Sequence, residues 1–333
     1  MITDPTPQRA LRSHRPARPR PHVFHTAEHH AVLVSRLTAR DRWLIRMLFE
    51  HRVLTTDQIT ALCFAGRRAT NQRLRLLYQW GVVHRFQPHR TLGSHPMHYV
   101  LDTAGAVVLA HELGVGLKAL GYHRDAELGR AYSLQLAHTI GCNTLLAALV
   151  QHARQPGSTG RVSAWWSAGR CGKLWGDIVT PDAYGRWHDA SCDVEWFLEY
   201  DCGSEKLARV TGKLRRYARL AATTGIVTPV LVWLPTARRE ATVREAFAEE
   251  LAGLDRRLVP VATTSTEAAI DALDMNAVRW GHVAGGDRVR LADLRVLFPA
   301  LPALERTADR SSSTTTISAP PPMPPTADEV SGR

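Results

Sequence analysis

Residues 181–201 read PDAYGRWHDASCDVEWFLEYD, and the fold turns on whether they form one β-hairpin. Two runs rich in aromatic and β-branched residues, 182–187 and 194–200, flank a short polar segment, the pattern of strands joined by a turn. Alternation across 194–201 puts Glu195, Phe197, Glu199 and Asp201 on one face. Val194, Trp196, Leu198 and Tyr200 take the other. Large apolar side chains on both faces predict an interior strand. Acids ending such a strand must be hydrogen-bonded, protonated or neutralised by a cation, because an isolated buried charge is costly. Asp182, on the neighbouring strand, is placed to bring a third carboxylate to the same edge.

Working outward, YSLQLAHTIGCNTLLAALVQHAR is strongly apolar and predicts a helix before the hairpin, and VSAWWS predicts a strand. After the hairpin, SEKLARVTGKLRRYARLAATTG carries Leu207, Val210, Leu214, Tyr217 and Ala221 as an apolar helical stripe. TPVLVWLP then reads as a buried strand, REATVREAFAEELAGL as a helix and RLVPVATT as a last strand. The order α-β-β-β-α-β, with further elements after it, predicts an α/β domain over residues 130–300.

Upstream, residues 36–113 predict three helices, a hairpin and a closing helix, the plan of a winged helix-turn-helix. Thr38 is placed as the N-cap of a helix carrying Trp43, Leu44, Met47 and Leu48. Thr55 or Thr56 caps a second helix, and a third carries Leu74, Leu77 and Tyr78 inward and stops at Gly81. The outward and early residues of that third helix are Arg67, Arg68, Thr70, Asn71, Gln72 and Arg75. In a helix-turn-helix these positions enter the major groove. Arg suits guanine, and Asn or Gln suits adenine, through paired hydrogen bonds to one base edge. Arg85, His89, Arg90 and His95 occupy the hairpin loop and are placed as a wing on the duplex backbone or minor groove. A merely solvated polar face, or a winged helix used for protein contact, is the competing reading.

Composition agrees with a polyanionic partner. The 333 residues carry 42 Lys and Arg against 31 Asp and Glu, a formal charge of +11, and cations near phosphate release condensed counterions. A GC-rich genome that simply favours Arg is the competing explanation, since Arg far outnumbers Lys. Five scattered Cys predict a reducing compartment, and no apolar run reaches bilayer length, so a cytoplasmic protein is expected. The Pro- and Arg-rich residues 1–35 predict a disordered basic arm, and the low-complexity residues 307–333 a disordered tail. His188, Cys192 and Cys202 lack paired CxxC spacing for zinc. Trp165, Trp166, Trp175, Trp187 and Trp196 read more simply as core than as base-stacking platforms.

Pro181-Asp182 followed by Glu199-x-Asp201 within this element order resembles the PD-(D/E)XK nuclease superfamily. The chain from about residue 36 to 235 is more closely similar to the actinobacterial replication-relaxation family, through LTARDRWLIRMLFEHRVLTTDQI, RRATNQRLRLLYQWGVV, HYVLDTAGA, LAHTIGCNTL and FLEYDCGSEKLARVTGKLRRYARL. The resemblance implies a restriction-endonuclease-like second domain in which Asp182, Glu199 and Asp201 hold Mg²⁺ or Mn²⁺ to activate water against a phosphodiester. It also implies double-stranded DNA and plasmid replication or transfer proteins as partners; a homodimer is left open. One departure stands against the nuclease pattern: Asp201 occupies the position of the usual Lys. Lys213, with Lys206 as the other candidate on the following helix, is the expected replacement. The alternatives are Glu199 and Asp201 capping the helix that begins near Ser204, or pairing with Arg215 or Arg216. At the level of function, the alternatives to a nuclease are a non-catalytic replication or transfer accessory factor and a winged-helix transcriptional repressor.

Overall fold

The computed structural model describes residues 6–11, 14, 26–89, 93–189, 193–270, 277–301 and 317–326. The chain is an α+β protein that divides into two compact units. Among described residues, the first unit holds 6–143 with 317–326, and the second holds 144–301. No single helix among them is long and apolar enough to cross a membrane.

The first unit runs α1 (Ala27–Arg36), α2 (Ala39–His51), β1 (Leu54–Thr55), α3 (Thr56–Cys63), α4 (Arg67–Gln79), β2 (Val83–Phe86), β3 (His98–Leu101), α5 (Thr103–Glu112), α6 (Leu117–Leu120) and α7 (Arg124–Gly129). The helix starts are written locally. Thr38 and Asp41 form a capping box on α2, and Thr55 and Gln58 form another on α3, each satisfying two otherwise orphan amides. The strands make an antiparallel sheet in the order β1-β3-β2, with Leu54 opposite Tyr99 and Val83 opposite Leu101. β1 has only two residues, and the sequence pattern missed it. Leu44, Met47, Leu48, Ile59, Leu74, Leu77, Val83 and Val100 are buried in this unit. Gly105 lets α5 come close to the chain, since a Cβ there would sit 2.4 Å from the Val82 carbonyl oxygen.

Much of the expected disordered arm (residues 1–35) and tail (residues 307–333) lies outside the described residues, and the described parts are built as follows. Within residues 1–35, Gln8–Leu11 form a 3₁₀ turn with Leu11 buried, and α1 is a helix capped by Thr26. In the tail, residues 317–326 belong to the first unit, and Pro320 and Pro322 are buried.

Helix α8 (Leu136–Ala153) carries the chain into the second unit, which continues β4 (Arg161–Ser167), α9 (Ala168–Trp175), β5 (Ala183–His188), β6 (Asp193–Tyr200), α10 (Leu207–Thr224), β7 (Val230–Leu234), α11 (Ala237–Ala252), β8 (Val261–Ser265), α12 (Thr266–Ile270), β9 (Trp280–His282), β10 (Arg288–Val289) and α13 (Leu294–Leu297). One seven-stranded sheet runs β10-β9-β8-β7-β6-β5-β4. β4, β5 and β6 form an antiparallel meander, and β6, β7 and β8 are parallel. The expected hairpin is therefore present, its second strand lies inside the sheet, and α9 is an addition to the expected order. Gly185 sits opposite Trp196, where a Cβ would meet the indole at 2.4 Å. The expected core tryptophans Trp165, Trp187 and Trp196 are buried. Trp166 stacks on Trp175.

Candidate nucleic-acid interface and acidic cluster

Helix α4 sorts its residues by the 3.6-residue repeat. Leu74, Leu77 and Tyr78 are buried, and Arg67, Arg68, Asn71, Gln72 and Arg75 are exposed. The helix contains no acid, so this face combines two exposed guanidinium positions, Arg68 and Arg75, which make no ion pair among the described residues, with two amides between them. Arg67 is also exposed, but its Nη1 lies 2.7 Å from Asp57 Oδ1, which offsets part of its charge.

Thr70 does not belong to this face. It is fully buried, its hydroxyl donates to the Gly66 carbonyl at 3.0 Å, and it lies 2.9 Å from the Thr60 hydroxyl. Its position four residues before Leu74 and seven before Leu77 places it in the inward stripe. Arg73, the remaining basic residue of α4, reaches back to Asp41 and to the Arg36 carbonyl and ties α4 to the start of α2. Arg85 on β2 is half-buried with its guanidinium 4.2 Å from the Tyr78 ring centre. His89 is exposed, His95 is buried, and Arg90 lies outside the described residues.

In the second unit, β5 and β6 bring Asp182 and Glu199 to one sheet margin. The Asp182 amide donates to the Leu198 carbonyl at 3.0 Å, and its Oδ2 accepts from the Tyr200 amide at 2.8 Å. The carboxylate is thus pinned beside Glu199. Glu199 shares its face with Phe197 and points toward α10, where Lys213 and Tyr217 stand one turn apart. Lys213 Nζ lies 2.5 Å from Glu199 Oε2, and the Tyr217 hydroxyl donates to Oε1. Glu205 adds a weaker contact, its Oε2 3.7 Å from Lys213 Nζ. Lys213, the expected replacement lysine, therefore does reach this edge. Lys206, by contrast, is exposed at the start of α10.

Electrostatics follow from burial. Glu199 is 4% exposed. Burial first, and then the nearby Asp182 charge, push its pKa up to about 8 against the opposing pull of Lys213. Burial acts to lower the Lys213 pKa, but the attraction of Glu199 and Asp182 outweighs it and holds the ammonium proton above its ordinary range. Glu199 therefore gives up its proton less readily than an ordinary carboxyl, and Lys213 keeps its ammonium proton more tightly than an ordinary lysine.

Asp201 is placed differently. Its Oδ1 accepts from the Gly203 amide at 2.6 Å, and its Oδ2 accepts from Arg239 Nε of α11 at 2.8 Å. Arg239 also bonds the Glu205 carbonyl at 2.6 Å. Neither capping of α10 nor pairing with Arg215 or Arg216 occurs: α10 starts at Leu207, and Arg215 pairs with Glu250. No local spacing announced Arg239, which lies beyond β7.

The expected Mg²⁺ or Mn²⁺ set of Asp182, Glu199 and Asp201 does not fit this arrangement. Among the described residues no group of three or more His, Cys, Asp or Glu is gathered to hold a metal ion. Both oxygens of Glu199 and both of Asp201 already face protein donors, and a ligating carboxylate must first be deprotonated. The zinc alternative fares no better. His188 is 2.6 Å from Asp193, Cys192 lies outside the described residues, and burial pushes the Cys202 thiol up to about 11.

A family model described as replication-relaxation matches residues 45–231. That span runs from α2 into β7 and includes the α4 face, Asp182, Glu199 and Lys213. No curated protein and no solved structure matches.

Proposed function

Because the chain belongs to the replication-relaxation family, we propose that it is a duplex-DNA-binding protein serving plasmid or mobile-element replication or relaxation. The observation that carries the reading is the outward face of α4, with Arg68, Asn71, Gln72 and Arg75 exposed and no acid in the helix. The order α2-β1-α3-α4-β2-β3 supports taking the first unit as a winged helix-turn-helix, with α4 as the recognition helix. The β2–β3 connection is then the wing. The succession α8-β4-β5-β6-α10-β7, interrupted by α9, supports a restriction-endonuclease-like ancestry for the second unit. Its acids are internally neutralised, which favours a scaffold or accessory role over phosphodiester cleavage.

Binding of a labelled plasmid-origin duplex, followed by anisotropy across a salt series, tests this reading. Arg68→Ala/Asn71→Ala/Arg75→Ala is expected to weaken binding at least tenfold, at roughly 1–3 kcal/mol for each lost base contact. Each lost phosphate contact should flatten the salt slope by about one unit. An unchanged affinity and slope would remove α4 from the interface. Supercoiled plasmid with Mg²⁺ or Mn²⁺ should keep its topology with wild type and Glu199→Ala alike. Metal-dependent nicking by wild type, lost in Glu199→Ala, would replace the scaffold reading with a nuclease.

A further inference from the structure

The tail segment at residues 317–326, ISAPPPMPPT, contains five prolines and no charge. It lies in the first unit, far in sequence from the helix that it meets. Trp43 on α2 is 5% exposed, and its indole N–H donates to the Pro321 carbonyl at 2.7 Å. Pro320 and Pro322, on either side of that carbonyl, are buried, and Pro321 itself is exposed. Neither segment makes strand pairing here.

Proline chemistry explains why such a segment can dock without secondary structure. Each Pro fixes its own φ near −65° and holds the preceding residue in the extended region. Ala319, Pro320, Pro321, Met323 and Pro324 all precede a proline, so little backbone entropy remains to be lost on binding. Such a run has no amide donors of its own at the prolines, and its carbonyls are free to accept. A buried indole N–H needs an acceptor, and the aromatic body offers an apolar wall to pyrrolidine rings. One indole-to-carbonyl bond flanked by two buried prolines is the chemistry by which aromatic surfaces take proline-rich peptides.

We propose that the first unit carries a proline-peptide site centred on Trp43, whose resting occupant is residues 317–326 of the same chain. The site fits a proline-rich segment of a partner protein, which must displace the tail to bind. Recognition is apolar around the indole-to-carbonyl bond, and the tail segment brings no charged side chain to it. It is therefore insensitive to salt, unlike duplex binding, and it stands or falls separately from the DNA reading.

The test uses the full chain labelled with ¹⁵N, with the Trp43 indole resonance identified by its loss in Trp43→Phe. In Pro320→Ala/Pro321→Ala/Pro322→Ala, whose changes lie only in the tail, that resonance should shift. Adding synthetic ISAPPPMPPT should return it to the wild-type position, equally at low and high salt. Wild type should take up the peptide at least tenfold more weakly, because the tethered copy competes at an effective concentration of about 1 mM. A resonance indifferent to the triple substitution, a peptide that fails to restore it, or equal uptake by both proteins would overturn the proposal. A concentration-dependent dimer with exchanged tails would overturn the assignment of the occupant to the same chain.

Discussion

Glu199 holds a proton that an unfolded chain would release. Its pKa moves from an ordinary 4.5 to about 8 through burial and the adjacent Asp182. Between these two values the native state binds more protons than the unfolded one. The stability tied to this group is therefore complete below about pH 4.5 and is lost as pH rises through about 8. Lys213, shifted upward, stays charged across that window and adds no titration of its own. The thermal midpoint of wild type should thus fall from about pH 5 to about pH 9 more steeply than that of Glu199→Gln. Parallel curves for the two proteins would mean that Glu199 ionises as an ordinary surface carboxylate. At this scale the sequence was partly legible. Strand alternation placed Glu199 on the Phe197 face, and helical spacing brought Lys213 to the flank of the α10 stripe. Asp201 could not be read in the same way. Its partner Arg239 lies 38 positions away on α11, and only the parallel return of β7 brings the two together.

The α3–α4 pair shows how one element divides structure from recognition. Thr70 lies within the stretch of polar residues that opens α4, yet its hydroxyl is spent inside the elbow with Gly66 and Thr60. Replacing Thr70 by Val keeps the shape and removes those bonds, with an expected cost of about 1–2 kcal/mol. Duplex affinity per folded molecule should not change, whereas Arg68→Ala should lower affinity and leave stability within about 0.5 kcal/mol. Thermal unfolding and anisotropy on the same two variants check both halves; a Thr70→Val protein that folds normally but loses DNA would return Thr70 to the interface. The signal that separates the two residues is period rather than polarity. Thr70 falls on the Leu74–Leu77 stripe and Arg68 falls off it. Longer elements such as α2, α4, α10 and β6 repeat their pattern often enough to be read. β1, β9 and β10 have two or three residues each, too few for any period, and exist because neighbouring strands offer them ladder partners.

On the scale of the whole molecule, the repeated Pro and Arg and the few apolar residues of the beginning made it look like a solvated arm, and composition averages hid one anchoring residue. Leu11 is 1% exposed and packs with Val53, Val100, Leu136 and Ala137. Gln8 reinforces the anchor from both ends of its amide, donating to the Ser133 carbonyl at 2.9 Å and accepting from the Ala137 amide at 2.9 Å. A single Leu in a basic run carries no periodicity, so nothing short of the fold could show that it is buried. The same holds for Pro320 and Pro322 in a tail that reads as low complexity. Removing a buried Leu side chain costs about 2–5 kcal/mol when the site cannot collapse. If Leu11 anchors the first unit, Leu11→Ala should speed hydrogen exchange at the Ala137 amide by about thirtyfold or more, since about 1.4 kcal/mol corresponds to a factor of ten. The salt slope of duplex binding should stay as in wild type, because no cation is removed. An Ala137 amide that exchanges at the same rate in both proteins would instead put residues 6–11 outside the folded unit and leave the early segment to act through charge alone.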